Sequence, residues 1–204
     1  RSHAAGTGEP LDLGIVRSVL FLKLLTFAHG YSGVRLTLAN KIIQFINKDI
    51  LPLIPEKGSV GASGDLAPLG HMALSLIGEG KVFYKGKKYD TRTALKKANV
   101  KPLVLGPKEG LSLINGTQVS TALAIKACLD GEILIRTADI AGALSVENSF
   151  SSRKVFKSEI HTIKKHPGQI SSAKNVYKTL NGSEVVRSHD NCGRVQDPYS
   201  FRCI

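Results

Sequence analysis

Long apolar stretches, broken at intervals by glycine, proline and charge, dominate the chain, and their spacing predicts helices. From Leu13 to Ala28 only Arg17 and Lys23 are charged, Pro10 and Asp12 suit a helix start, and Gly30 suits its end. A helix apolar nearly all round should be deeply buried. A second helix is predicted from about Leu36 to Asn47, with Ile42, Ile43, Phe45 and Ile46 on or near the inward face. Pro52 and Pro55 then force an extended approach to a glycine-rich stretch from Gly58 to Gly70. Leu66 to Ile77 reads as a third, buried helix, with Pro68 tolerated in its first turn. Val82 and Tyr84 alternate ahead of a Lys85-Gly86 turn signal, which predicts a short exposed hairpin from Lys81 to Tyr89, and Thr91 to Asn99 predicts a short amphipathic helix. From Thr117 to about Phe150 there is no proline and small or apolar residues prevail, so one long helix is expected, apolar on several faces and in need of more than one partner. A last helix is predicted from Gly168 to Leu180, stopped by Asn181-Gly182. The fold class is mainly α.

Composition changes this picture little. The 204 residues are 42% hydrophobic and 22% charged, an ordinary globular balance with enough apolar mass for a core. The chain begins Arg1-Ser2-His3 without methionine and stops at Arg202-Cys203-Ile204 with no polar tail, so an internal piece of a longer protein is expected. A net charge of +12 invites a nucleic-acid partner, but Lys85 to Lys88, Lys96-Lys97 and Lys164-Lys165 are small groups beside turns with no interleaved aromatics. They read as solvated faces, and neither nucleic acid nor membrane is expected as a partner. Cys128, Cys192 and Cys203 show no metal spacing and leave an odd thiol, which suits a reducing, cytoplasmic setting.

The glycine-rich stretch holds the chemistry. Within it lies Ala62-Ser63-Gly64. The amide nitrogen of Gly64 can attack the Ala62 carbonyl carbon to close a five-membered ring with loss of water. Loss of the Ser63 hydroxyl as a second water leaves a methylidene conjugated to the ring, an electrophile made from the chain alone. Glycine permits the tight backbone approach, serine carries the leaving hydroxyl, and alanine stays small. The tripeptide is short enough to arise by chance. A glycine-serine turn capping a helix at Asp65 explains it equally well.

Elsewhere the residues offer no constellation. His161 and His166 have no carboxylate partner at suitable spacing and read as a solvated surface, while His71, inside an apolar run, reads as a core histidine rather than a ligand. There is no phosphate loop, paired-cysteine zinc pattern or nucleophile elbow.

Longer motifs decide between these readings. Ser2 to Pro10, Gly30 to Arg35, Gly58 to Leu74, Lys108 to Gln118, Gly142 to Ser145 and Val195 to Cys203 together resemble, in order, the histidine and phenylalanine ammonia-lyase family. The resemblance covers almost the whole chain, with Gly70 where alanine is common and Phe201 where leucine is common. It implies the helical-bundle fold of that family, with residues 1–114 in a loop-bearing N-terminal domain and residues 115–204 in a central bundle of long helices. It also implies that Ala62, Ser63 and Gly64 become a methylidene-imidazolone (MIO) group, with no external cofactor and no metal.

By the same resemblance, Asn115 sits beside that group, able to bond its oxygen or the substrate amine, although a helix N-cap in Asn-Gly-Thr is an alternative role. Arg202 resembles the arginine that grips the substrate carboxylate, Tyr199 and Gln196 resemble residues lining the electrophile side of the pocket, and His3 resembles the residue that contacts the substrate ring. Ser2-His3-Ala4-Ala5-Gly6 is more similar to the histidine-processing members, which implies elimination of ammonia from L-histidine to trans-urocanate. Tyrosine or phenylalanine lyase and aminomutase chemistry on the same group are the alternatives within the family, and a non-catalytic basic helical protein lies outside it. The family site is assembled in a homotetramer. Its base tyrosine and an acidic pocket residue would fall outside these 204 residues, so the chain alone is expected to be inactive.

Overall fold

The computed structural model describes residues 1–193 and 196–204. Val195, the first residue of the Val195 to Cys203 motif, lies outside the described residues. The chain forms two compact units, Arg1–Ala127 and Cys128–Ile204.

The first unit runs β1 (Thr7–Pro10), α1 (Leu13–Ala28), α2 (Leu36–Asn47), β2 (Ile50–Pro52), β3 (Pro55–Lys57), α3 (Leu66–Leu76), β4 (Lys81–Tyr84), β5 (Lys87–Asp90), α4 (Thr91–Lys97) and α5 (Glu109–Ile114). It ends within α6 (Gln118–Asn148), which continues into the second unit. Asp12 starts α1 by accepting the Gly14 and Ile15 amides at 2.8 and 3.3 Å, filling donors that a helix N-terminus leaves open. Val16, Val19, Leu20, Lys23 and Phe27 form its buried stripe against α2 and β2. The expectation of a helix buried all round is corrected here, because Phe21 and Leu25 on the opposite side are exposed. On α2 the buried stripe is Leu38, Ile42 and Phe45, and Ile43, expected near the inward face, points outward.

The predicted hairpin forms with Lys81 opposite Asp90, turning through Lys85 and Gly86, both at positive φ (49° and 76°) as a two-residue hairpin turn requires. It is part of a three-stranded antiparallel sheet, since Ile50–Pro52 pairs with Pro52 opposite Val82. β1 and β3 form a second, antiparallel pair. The core of the unit gathers α1, α2, α3, the three-stranded sheet, α4, Leu113 of α5 and the first turns of α6.

α5 is held by Glu109. Its fully buried carboxylate accepts the Arg35 amide at 3.0 Å, Arg35 Nε at 2.9 Å and Nη2 at 2.7 Å, and the Gly106 amide at 2.6 Å. The Arg35 contacts hold the Glu109 carboxyl down to about 2 against the opposing effect of burial, with further help from the Gly106 and Arg35 amides.

In the second unit, α6 is followed by a 3-10 turn (Arg153–Phe156), α7 (Ser158–Thr162), α8 (Pro167–Thr179), α9 (Glu184–Arg187) and a 3-10 turn (Tyr199–Arg202). Ala143 and Val146 of α6 pack with Phe156, Ala173, Val176, Leu180 and Val186 in a small core, against which Phe201 also leans. His161, expected on a solvated surface, is half-buried, its ring nitrogens bonding the Val155 carbonyl and the Gln169 amide at 2.9 and 3.0 Å, while His166 is exposed as expected. Among the described residues no helix is long and apolar enough to cross a membrane.

Candidate active site

The loop from Gly58 to Gly64 joins β3 to α3 and is open at one end and buried at the other. Ala62 and Ser63 are exposed, while Gly64 and Asp65 are buried. Gly64 adopts φ +107°, and a Cβ there would collide with the main chain of Gly116. No other residue fits both conditions without strain. The Asp65 amide donates to the Gly116 carbonyl at 2.7 Å, so the loop and the α5–α6 connection are joined backbone to backbone.

Asp65 is the N-cap residue of α3, its carbonyl accepting the Leu69 amide at 3.0 Å, but its side chain makes no capping bond. Its carboxylate turns to the start of α6, accepting the Ser120 amide at 2.8 Å and hydroxyl at 2.6 Å, and also the Ser59 hydroxyl at 2.7 Å. Burial pushes this carboxyl up, but the hydrogen bonds from Ser120 and Ser59 outweigh it and the net shift is downward. A buried anion at the N-terminus of a 31-residue helix is also favoured by the helix dipole.

Asn115 follows α5 as its C-cap in an extended conformation (φ −90°, ψ 116°), with its own amide donating to the Leu111 carbonyl at 2.9 Å. The N-cap role in Asn-Gly-Thr is therefore corrected: α6 begins at Gln118, three residues on. The Asn115 side chain is exposed, and beneath it the buried Lys23 ammonium donates to the Ser112 and Asn115 carbonyls at 3.2 and 3.3 Å. Burial lowers the Lys23 pKa to about 8, partly offset by the Asp65 charge.

His3 is exposed and its Nδ1 pairs with the Ser2 hydroxyl at 3.1 Å. The segment bearing it lies against α3 because Gly70 has no side chain: a Cβ there would come within 3.0 Å of the Ala4 amide and 3.2 Å of the His3 carbonyl carbon. His3, Gly70, Ala73, Leu74 and Ile114 line a mainly apolar cavity of about 230 Å³. His71 anchors the same segment, its Nε2 accepting the Gly6 amide at 3.0 Å.

Five of the eight candidate residues, His3, Ala62, Ser63, Gly64 and Asn115, thus lie in the first unit. Gln196, Tyr199 and Arg202 lie in the second. With its amide oxygen turned toward Arg202, Gln196 accepts from both terminal guanidinium nitrogens, Nη1 at 2.7 Å. The guanidinium carbon stands 5.7 Å from the centre of the exposed Tyr199 ring, and Arg202 borders a cavity of about 340 Å³ with Asp139, His161 and Gln169. These three residues form one small cluster whose planar cation suits a carboxylate.

Asp65, Ser120 and Lys23 are not among the candidate site residues that the sequence offers. For Lys23 a signal existed, a lone lysine in an otherwise apolar helical run, whereas nothing in the order of residues pairs Asp65 with Ser120. Among the described residues no cluster of three or more histidine, cysteine or acidic side chains could hold a metal ion.

The family model for aromatic amino acid lyases matches residues 1–204. The histidine ammonia-lyase of Yersinia enterocolitica is 52% identical over 204 residues, covering 99% of this chain and 40% of its own length. Among solved structures, the histidine ammonia-lyase of Trypanosoma cruzi superposes with a TM-score of 0.86 at 36% identity, over 100% of this chain and 37% of its own. The phenylalanine aminomutase of Pantoea agglomerans gives 0.87 at 31% identity, over 99% and 42%. The chain spans about 40% of the length of the curated relatives it matches.

Proposed function

The chain belongs to the aromatic amino acid lyase family, and on that premise we propose that it carries the electrophile-forming part of an enzyme that eliminates ammonia from L-histidine to give trans-urocanate. The observation that carries this reading is Gly64: a positive φ and contact with the Gly116 backbone hold the Ala62-Ser63-Gly64 loop in a conformation only glycine allows, with Ser63 exposed beside it. The tripeptide fits a self-derived methylidene-imidazolone, because its third residue must present an unhindered amide and its second must lose a hydroxyl. That group supplies an electrophilic carbon to the substrate.

The chain's own residues orient and polarise. α3 starts directly after the loop, and because Asp65 is engaged with Ser120, the first amides of α3 remain uncapped by its carboxylate. Their partial positive charge favours electron density drawn into the loop. The exposed amide of Asn115 would hold the substrate amine or the ring oxygen, and His3 would meet the imidazole of the substrate through a hydrogen bond that an apolar ring cannot make. Arg202 would grip the carboxylate, with Gln196 holding its fork and Tyr199 beside it. The difficulty of the reaction is that the β-proton is weakly acidic and ammonia leaves poorly. In this proposal the base that takes the proton lies outside these 204 residues, and the complete site is assembled in a homotetramer with a division near 114/115 between loop-bearing domain and bundle. A cytoplasmic location belongs to the same proposal, motivated by three exposed free cysteines.

Product identification with the full-length protein tests the reading. Urocanate from L-histidine is expected. Cinnamate, coumarate or a β-amino acid as the main product would replace it with the lyase or aminomutase alternatives, one of which the Pantoea agglomerans neighbour represents. The 204-residue chain alone is expected to give no turnover.

A further inference from the structure

Lys23 is fully buried on α1 while Phe21 and Leu25 on the same helix are exposed. A buried ammonium is costly unless it finds acceptors. Its acceptors here are the Ser112 carbonyl at 3.2 Å and the Asn115 carbonyl at 3.3 Å, and the Phe27 ring centre lies 5.7 Å from Nζ. Both carbonyls belong to the C-terminal end of α5, where a helix leaves acceptors without internal partners and its dipole is negative. Asp65 is the charged group that acts on Lys23 from outside α1.

The consequence concerns the peptide planes that follow Asn115. The first is held through its carbonyl by Lys23, and the second through the Gly116 carbonyl by the Asp65 amide at 2.7 Å. Gly116, at φ +150°, has no side chain to restrain the turn by itself. The direction in which Asn115 projects therefore depends on these two anchors, one of which is also the anchor of Gly64. We propose that Lys23 is a positioning residue for Asn115, a buried cation that fixes the end of α5 so that the Asn115 amide stands at the site. This rests on the role given to Asn115 above. Lys23 acts through its donors: the amine is covered by two carbonyls and is not free to attack a substrate. With its pKa at about 8 it carries its charge in neutral solution, and even the neutral amine keeps two donors for the two carbonyls.

A double-mutant cycle in the full-length protein tests this. Lys23→Met is expected to lower kcat/KM for L-histidine roughly 10- to 100-fold, the effect of displacing a group by about an ångström. Added to Asn115→Ala it should cause no further loss, because the group it positions is gone. Amide hydrogen exchange over residues 112–118 should be faster in Lys23→Met and unchanged in Asn115→Ala. Additive losses in the cycle, or wild-type kcat/KM in Lys23→Met, would overturn the proposal. Should Lys23→Met fail to fold, Lys23→Gln keeps a donor and is expected to give a smaller loss with the same dependence on Asn115; additivity there overturns the proposal equally. Wild-type protein that forms no urocanate would overturn the functional reading instead, and the exchange measurement would still decide whether Lys23 clamps this turn.

Discussion

The two units differ in how much charge they bury. Arg1–Ala127 buries Lys23, Asp65, Ser75, Thr91, Glu109 and Gln118, and each of these side chains has a hydrogen-bond partner inside the unit, although the Gln118 amide oxygen itself has none. Cys128–Ile204 buries one polar side chain among its described residues, Ser151, whose hydroxyl has no partner, and leaves Ile133, Leu134, Ile135, Ile140 and Leu144 of its long helix in water. In the first unit the buried charges Lys23, Asp65 and Glu109 are all hydrogen-bonded, and they fix backbone turns rather than merely tolerate burial. The second exposes an apolar helix surface of the kind that marks an interaction site, which agrees with the proposed tetramer.

Substitutions that separate chemistry from frame sharpen this contrast. The largest effect is expected for Ser63→Ala, which keeps the loop conformation but removes the leaving hydroxyl; turnover in the full-length protein should fall by about 10³-fold or more with no change in thermal unfolding. Gly64→Ala should remove turnover as well but also destabilise the fold by about 1–3 kcal/mol, because alanine at φ +107° meets the Gly116 backbone. If both variants unfolded alike, the distinction between reactive group and scaffold would fail.

Glu109→Ala should cost about 3 kcal/mol in denaturant unfolding, since Gly106 and Arg35 lose a buried acceptor. The acid limb follows from the same carboxylate. Arg35 holds its folded pKa at about 2, below the ordinary 4.5, so its stabilisation is complete above about 4.5 and is lost as the pH falls toward 2. Asp65 is shifted in the same direction, with burial opposing the hydrogen bonds from Ser120 and Ser59, and adds to this limb. Melting temperature measured against pH should therefore fall on acidification, less steeply in Glu109→Ala. The smallest effect on folding belongs to Leu134→Gln on the exposed face, less than about 0.5 kcal/mol. Sedimentation of the full-length protein should nevertheless show weaker assembly, and unchanged assembly would separate this face from the oligomer.

Much of this was legible in the sequence, for physical reasons that differ by element. α1 and α2 begin and end where predicted because Asp12, Gly30 and the proline-bounded segment after Asn47 are local signals. β2 and β3 escaped notice because each is three residues long and contains proline, so the pairing comes from the sheet partners rather than from propensity. α5 is not among the elements that the pattern predicts, because what fixes it is the contact of Glu109 with Arg35, 74 residues away. At the site, Gly64 was legible as a glycine that permits close backbone approach, but that Gly116 is the segment it approaches is a tertiary fact. Lys23 looked like one of two interruptions in an apolar helix. Its burial follows from carbonyls brought to it by the end of α5, which no local pattern encodes.

The central claim is that Ala62-Ser63-Gly64 becomes the electrophile. Intact mass of the folded full-length protein, with peptide mapping of the loop, tests it most directly. The account predicts a deficit of two waters confined to residues 62–64 and absent in Ser63→Ala; an unmodified tripeptide in well-folded wild-type protein would contradict it.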